Sequence, residues 1–372
     1  MKPLSIMIKP ASDACNLQCR YCFYHDVTSH REQSHFPMMS ETTAERLIDS
    51  ALQFADGGSI AFAFQGGEPL LVGLPYFSHF TEYVAQKNTK DSPIYYSIQT
   101  NGLLINPEWA AFFKAHSFLV GLSLDGTKAA NQYRTDAEGK NSFDRILLAA
   151  EVLEEYQVDF NILTVVTGYA ADHIDQIYAF LKQQGFRYLQ FIPCLRPLEN
   201  QKDICADRSL YMTNEQYAYF LIHAFNAYVK DYVRGQYTSV RQFDNWVRLY
   251  LGQQPEQCGV CGHCMHQFVV EGNGNVYPCD FYCLDEWLLG NIQTEDLSAM
   301  ATSPKAISFI RESLPTDPQC RACRYYPLCR GGGCKRSRAT ATIVALTETS
   351  FPPACHCSAS FVRNRPAPPD PQ

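Results

Sequence analysis

Cys15, Cys19 and Cys22 stand in a C-x3-C-x2-C spacing just past an alternating apolar stretch at the N-terminus. Thiolates this close together hold iron or zinc. Three of them leave one iron of a [4Fe–4S] cluster without a protein ligand, and an open metal position is where chemistry happens. A zinc knuckle is the alternative, with His25 or His30 as its fourth ligand. Eleven more cysteines lie between 258 and 357, and eight of them make a spaced pattern: Cys258, Cys264, Cys279, Cys320, Cys323, Cys329, Cys334 and Cys355. Eight thiolates suit two fully ligated clusters or two zinc sites. Cys194, Cys205, Cys261 and Cys283 fit neither pattern and read as buried structural cysteines. Asp280 directly follows Cys279. An acid beside a cluster ligand is expected to be desolvated and to feel the cluster's negative charge, and both favour its protonated form, the direction a general base needs.

The elements that must position these groups alternate. Strand-like segments at Leu4–Lys9, Ala61–Gln65, Tyr95–Thr100, Leu119–Ser123, Phe160–Val166 and Leu189–Pro193 are short and apolar, as in a buried parallel sheet. Helical patterns fall between them at Ser40–Phe54, Tyr76–Gln86, Pro107–His116, Ser142–Tyr156 and Asp172–Gln184, with a further helix near Thr213–Val233. Ser40 reads as an N-cap and Pro107 as a first-turn residue. Six β-α units with right-handed crossovers imply an α/β architecture, a partial (β/α)6 TIM-like barrel whose site lies at the C-terminal strand ends. The polar and glycine-rich motifs fall there. Cys15–Cys22 follows the first strand, Gln65-Gly66-Gly67-Glu68-Pro69 the second, Gln99-Thr100-Asn101-Gly102 the third, Ser123-Leu124-Asp125-Gly126 the fourth and Cys194-Leu195 the sixth. Backbone without Cβ atoms at Gly66 and Gly67 admits a ligand closely, and a carboxylate beside it favours an ammonium.

Beyond about residue 250 the pattern breaks into short segments punctuated by Gly, Cys and Pro, with a hairpin expected around Asn273-Gly274. A small region of that kind needs metal staples. The expected division is a barrel over 1–235, a cysteine-rich domain over 236–357 and a Pro-rich, disordered tail over 358–372. The net charge of −7 argues against nonspecific nucleic-acid binding, which needs a basic field. No apolar run approaches the ~18 residues of a membrane span, and the N-terminus lacks the apolar core of a signal peptide. A cytoplasmic protein is expected. In that reducing compartment 16 cysteines are metal ligands sooner than disulfides.

Cys15-Asn16-Leu17-Gln18-Cys19-Arg20-Tyr21-Cys22 resembles the signature of the radical S-adenosylmethionine (radical SAM) superfamily, and Gly66-Gly67-Glu68-Pro69 resembles its GGEP motif. The resemblance implies that the open iron chelates S-adenosylmethionine (AdoMet) and that its cleavage yields a 5′-deoxyadenosyl radical. It implies cofactor contacts from Tyr21 at the adenine, Gly66, Gly67 and Glu68 at the methionine amino group, Ser123 and Arg134 at the ribose and carboxylate, and Leu195 at the adenine. Arg134 suits a bidentate carboxylate. The later cysteines resemble the SPASM extension, which carries two auxiliary [4Fe–4S] clusters. The match gives Cys258, Cys264, Cys279 and Cys334 to one and Cys320, Cys323, Cys329 and Cys355 to the other, with Cys357 as a substitute for Cys355. One spacing departs: Arg330-Gly331-Gly332-Gly333 puts four residues where the family has three.

Over residues 1–357 the chain most resembles the anaerobic sulfatase-maturating enzymes, on Ile8-Lys9-Pro10-Ala11-Ser12, Cys22-Phe23-Tyr24-His25, Phe62 to Pro69 and Tyr277-Pro278-Cys279-Asp280-Phe281-Tyr282. The reaction this implies is oxygen-independent oxidation of a sulfatase cysteine or serine, in a Cys/Ser-x-Pro/Ala-x-Arg segment, to Cα-formylglycine. Asp280 maps to the base, and Tyr24 and Gln65 are candidates for substrate contact. The implied partners are the sulfatase polypeptide and an electron donor such as flavodoxin or ferredoxin, with the enzyme a monomer. Two other readings stand beside this one: a SPASM-type maturase of a ribosomal peptide, forming thioethers or crosslinks, and a zinc-stapled binding protein without catalysis.

Overall fold

The computed structural model describes residues 2–198, 207–314, 318–324 and 326–330. Cys205, Cys334, Cys355, Cys357 and the tail 358–372 lie outside the described residues. In chain order the principal elements are β1 (Leu4–Lys9), α1 (Phe23–Ser29), α2 (Glu41–Ala55), β2 (Ile60–Phe64), α3 (Leu74–Lys87), β3 (Ile94–Thr100), α4 (Pro107–Ala115), β4 (Leu119–Ser123), α5 (Phe143–Glu155), β5 (Phe160–Val166), α6 (Gly168–Asp172), α7 (Ile174–Gln183), β6 (Tyr188–Pro193), α8 (Asn214–Val233), β7 (Ser239–Val240), α9 (Arg241–Tyr250), β8 (Val269–Glu271), β9 (Asn275–Tyr277) and β10 (Gly290–Asn291).

β1 to β6 pair in parallel and in sequence order, as six right-handed β-α units require. The strand period of two sorts the side chains. Ile6, Ile8, Phe62 and Phe64 join the core with Leu47 and Ile48 of α2 and Phe77 and Phe80 of α3. The alternate residues of β1 and β2, which include Lys9 and the position of Gln65 just past β2, face the other way. Local signals set the helix starts. Ser40 Oγ accepts from Thr43 N–H, Asn106 caps α4 ahead of Pro107, and Thr213 forms a capping box with Gln216.

The helix expected at Asp172–Gln184 is α7, and a short helix, α6, precedes it. α6 ends at Asp172 and α7 starts at Ile174, because His173 leaves the helical region while its Nδ1 lies 2.9 Å from the Tyr169 carbonyl. Two pairings carry no local signal. β7 adds a seventh parallel strand against β6, and the hairpin expected around Asn273-Gly274 is β8–β9, whose first strand lies parallel to β1. The sheet therefore runs through ten strands, β10-β9-β8-β1-β2-β3-β4-β5-β6-β7. Its β1–β8 register sets Lys9 beside Glu271.

Candidate active site

The loop after β1 carries Cys15, Cys19 and Cys22. Gln18 N–H donates to the Thr135 carbonyl at 2.7 Å and Arg20 N–H to the Tyr133 carbonyl at 3.1 Å, so the loop is zipped to the segment that holds Arg134. Cys22 caps α1 and its N–H returns to the Cys19 carbonyl at 3.1 Å. Cys15 and Cys22 are exposed and Cys19 is half-buried. Burial pushes the Cys15 thiol up to about 11 and the Cys19 thiol up to about 12, and each thiol also lies close enough to feel its neighbours' charge. Without a cation these groups stay thiols; iron would draw off their protons. Among the described residues no three His, Cys, Asp or Glu side chains converge as a single metal ion demands. A four-iron cluster spreads its thiolates more widely than one zinc ion does, so the donor set fits the cluster better.

Gly66 and Gly67 adopt φ of +96° and +53°. A Cβ at Gly67 would sit 2.2 Å from the Ala14 carbonyl oxygen, so this turn lies directly against the cysteine loop. Glu68 N–H donates to the same carbonyl at 2.8 Å. The Glu68 carboxyl is buried and accepts from Thr100 Oγ1 at 2.8 Å, Asn101 N–H at 2.8 Å and Leu70 N–H at 3.1 Å. Burial outweighs those donors and raises it to about 7. Asn101 continues the link, with Nδ2 donating to Asn16 Oδ1 at 2.7 Å. The motifs after β1, β2 and β3 thus form one connected cradle.

At the end of β4, Ser123 is half-buried and Asp125 is fully buried. Asp125 Oδ2 accepts from the Tyr21 hydroxyl and from Arg134 Nε at 3.1 Å, and Oδ1 accepts from Val165 N–H at 2.9 Å. Arg134 is 7% exposed, and its guanidinium lies 5.5 Å from the Tyr21 ring centroid. Asp125 and the Tyr21 ring hold it charged against the cost of burial. Among the described residues only Nε meets an acceptor, which leaves both terminal amino groups for an anion. That is a fit for the AdoMet carboxylate. Leu195 is half-buried beside Cys194, which packs with Tyr21 and Tyr133. Asp125 was legible only as part of a rim motif; its three partners come from other segments of the chain.

Asp280 is buried opposite the Gly-Gly turn. Its carboxylate pairs with the Lys9 ammonium and accepts from Gln65 Nε2. The sequence reading set desolvation and cluster charge against Asp280 but lacked this counter-charge. Burial pushes Lys9 down, yet Asp280, Cys283 and Glu271 together outweigh it, so Lys9 stays an ammonium. Lys9 Nζ lies 3.7 Å from the Tyr24 ring centroid. Tyr24, placed at the rim by sequence, is buried; its hydroxyl donates to Glu271 at 2.7 Å, and Glu271 pairs with buried Arg31 at 2.7 Å. Gln65 keeps a half-buried place beside the Gly-Gly turn with its amide committed to Asp280. Arg31 and Glu271 lie in no motif, and Lys9 lies in the Ile8–Ser12 segment of the resemblance without a role attached to it.

In the second half, Cys258, Cys264, Cys279, Cys320, Cys323 and Cys329 are exposed or half-buried, and none of the described cysteines forms a disulfide. Cys264 N–H donates to Ser313 Oγ at 2.8 Å, and Cys323 N–H to the Cys320 carbonyl at 3.1 Å. Cys194 and Cys283 are buried, as structural cysteines are, and Cys261 is half-buried. Cys258, Cys320 and Cys329 lie in short helical turns or helices and Cys264, Cys279 and Cys323 outside them; six thiols of this kind suit iron chemically, and the other two expected ligands, Cys334 and Cys355, lie outside the described residues.

Residues 10–181 match the family model of the radical SAM superfamily, and residues 258–324 match that of an iron–sulfur cluster-binding domain, SPASM. The chain is 44% identical over 339 residues to a cysteine-type anaerobic sulfatase-maturating enzyme of Clostridium novyi, covering 91% of this chain and 89% of that protein. It is 31% identical over 358 residues to a serine-type anaerobic sulfatase-maturating enzyme of Bacteroides thetaiotaomicron, covering 92% and 84%. The solved structure of native anSMEcpe with bound AdoMet and Cp18Cys peptide superimposes with a TM-score of 0.89 at 38% identity, over 97% of this chain and all of that one. No helix among the described residues is long and apolar enough to cross a membrane.

Proposed function

The chain belongs to the anaerobic sulfatase-maturating enzymes of the radical SAM superfamily, and we propose that it takes the Cys/Ser-x-Pro/Ala-x-Arg segment of a sulfatase, with cysteine preferred at the target position. It is a protein-modifying oxidoreductase that converts the target residue to Cα-formylglycine without oxygen, and its cofactors are AdoMet and three [4Fe–4S] clusters. Its substrate is a peptide. The preference for cysteine rests on the higher identity to the cysteine-type relative. The reading carries with it a monomer in the reducing cytoplasm, reduced by a flavodoxin or ferredoxin.

In this reading Cys15, Cys19 and Cys22 hold the cluster whose open iron takes AdoMet. Gly66, Gly67 and Glu68 receive the amino group, Arg134 the carboxylate, Ser123 the ribose, and Tyr21 and Leu195 the adenine. Cys258, Cys264, Cys279 and Cys334 hold one auxiliary cluster, and Cys320, Cys323, Cys329 and Cys355 the other. When bound, these groups supply a 5′-deoxyadenosyl radical that takes a Cβ hydrogen from the target and a sink for the second electron. The chain's own part is the proton. Asp280 accepts it from the target thiol as the carbon–sulfur double bond forms, and water then replaces sulfur. Lys9 and Gln65 hold the carboxylate in place, and Gln65 leads the Gly-Gly turn, so it sits at the substrate as well. Tyr24 contributes from beneath, as the platform for Lys9.

The observation that carries this reading is the Gln65 to Asp280 contact, which sets Asp280 next to the Gly-Gly turn that the reading gives to the cofactor. The test is anaerobic reconstitution with iron, sulfide and AdoMet, followed by matched cysteine and serine peptides. Expected are cleaved AdoMet and the mass loss of formylglycine formation, faster on cysteine. Intact peptide beside cleaved AdoMet would overturn the substrate assignment.

A further inference from the structure

Resting on the reading of Arg134 as the carboxylate contact, we infer that Asp125 is the positioning residue that aims Arg134 at the cofactor and ties it to the cysteine loop. Asp125 is 0% exposed and both of its carboxylate oxygens accept hydrogen bonds. Oδ1 accepts from Val165 N–H at 2.9 Å, which pins the side chain to β5. Its own N–H donates to Asn131 Oδ1 at 3.2 Å, and Asn131 in turn donates from Nδ2 to Asn141 Oδ1 at 3.0 Å and Ser142 Oγ at 3.3 Å. The acid therefore has one position. From it, Oδ2 takes Arg134 Nε at 3.1 Å and the hydroxyl of Tyr21, which lies between Cys19 and Cys22.

The geometry matters because an arginine side chain has several rotatable bonds, and a planar fork recognises a carboxylate only when its plane is fixed. Fixing Nε fixes the plane and leaves both terminal amino groups free for the ligand. The Asp125 carboxylate also supplies the counter-charge that keeps a nearly buried guanidinium from standing unpaired before the ligand arrives. The loop cannot shift alone, since Tyr21 shares the same oxygen and the Gln18–Thr135 and Arg20–Tyr133 backbone bonds run alongside.

The test is Asp125→Asn in the holoenzyme. The amide oxygen still accepts from Val165 and the amide nitrogen still meets the Tyr21 oxygen, but it opposes Arg134 Nε donor to donor. Two non-cleavable probes separate the effects. S-adenosylhomocysteine carries the carboxylate; 5′-methylthioadenosine lacks it. Expected is a loss of affinity for S-adenosylhomocysteine of about tenfold or more, the range of a lost charged hydrogen bond, with methylthioadenosine within about twofold. In an Arg134→Lys background, Asp125→Asn should add little, a non-additivity that a general loss of packing would not produce. Equal weakening of both probes, no change in either, or additive losses would overturn the inference. So would failure of Asp125→Asn to fold or take up iron, which would make Asp125 a residue of the fold. A wild-type protein that binds neither probe would instead overturn the cofactor assignment itself.

Discussion

At the scale of single residues, the base proposed at Asp280 and its counter-ion Lys9 would separate two half-reactions. Among the described residues Asp280 pairs with Lys9 and Gln65 and makes no hydrogen bond or ion pair with Glu68, Arg134 or Tyr21, the side chains proposed to contact AdoMet. Asp280→Asn should therefore keep iron content and AdoMet cleavage while lowering peptide oxidation by at least about a hundredfold, the scale of general-base catalysis. Peptide product at the wild-type rate, read by mass spectrometry, would remove Asp280 from that role. Lys9→Met should act on the same step and also on stability. It leaves buried Asp280 without its ammonium, and stripping one partner from a buried pair costs about 3–5 kcal/mol. A chemical denaturation midpoint unchanged from wild type would contradict that. Cysteine spacing and the Asp280 motif were legible because they are local. Lys9 reads as the end of a strand, and nothing near it in the chain announces Asp280, Tyr24 or Glu271, which a parallel pairing and a later turn bring to it.

At the scale of elements, the Gly66–Pro69 turn is the joint between three strand ends. Gly67 meets the Ala14 carbonyl so closely that no side chain fits. Gly67→Ala should push the cysteine loop out of register, so the purified protein takes up markedly less iron in the first cluster even with the auxiliary cysteines intact. Iron and sulfide analysis against wild type decides it; full loading would show that the loop has slack. Glu68 gives the same joint a pH dependence. Its carboxyl sits at about 7 in the folded protein against an ordinary 4.5. The folded state then holds a proton that the unfolded state has released, so stability is greatest below 4.5 and falls as pH rises toward 7. The apoprotein's thermal midpoint should decline across that window, and Glu68→Gln should flatten the decline. A slope that the variant does not change would assign it to other groups. The strands and caps that frame this joint could be read from period and capping residues, and β8 from the hairpin turn; its pairing with β1 and the two-residue strand β7 could not, since neither leaves a local period.

At the scale of the molecule, the expected boundary near residue 235 does not interrupt the sheet. β8, from the cysteine-rich half, pairs with β1, and β7 pairs with β6, so both flanks of the six-stranded core are completed by later residues. Two buried cations of the first half find their anions in the second: Lys9 in Asp280, and Arg31 in Glu271 at 2.7 Å. Val27 of α1 packs with Val269, Tyr277, Cys283 and Leu284. A fragment of residues 1–235 would expose the β1 edge and leave both cations in an apolar setting without partners. Each broken buried pair costs about 3–5 kcal/mol, and two such losses rival the whole stability of an ordinary domain, about 5–15 kcal/mol. The fragment should therefore lack cooperative unfolding by circular dichroism and show no slow hydrogen exchange in β1. A fragment that melts cooperatively near the full chain's midpoint would mean that the barrel stands alone. Otherwise the base, its counter-ion and the cofactor cradle form only together, because one continuous sheet builds them all.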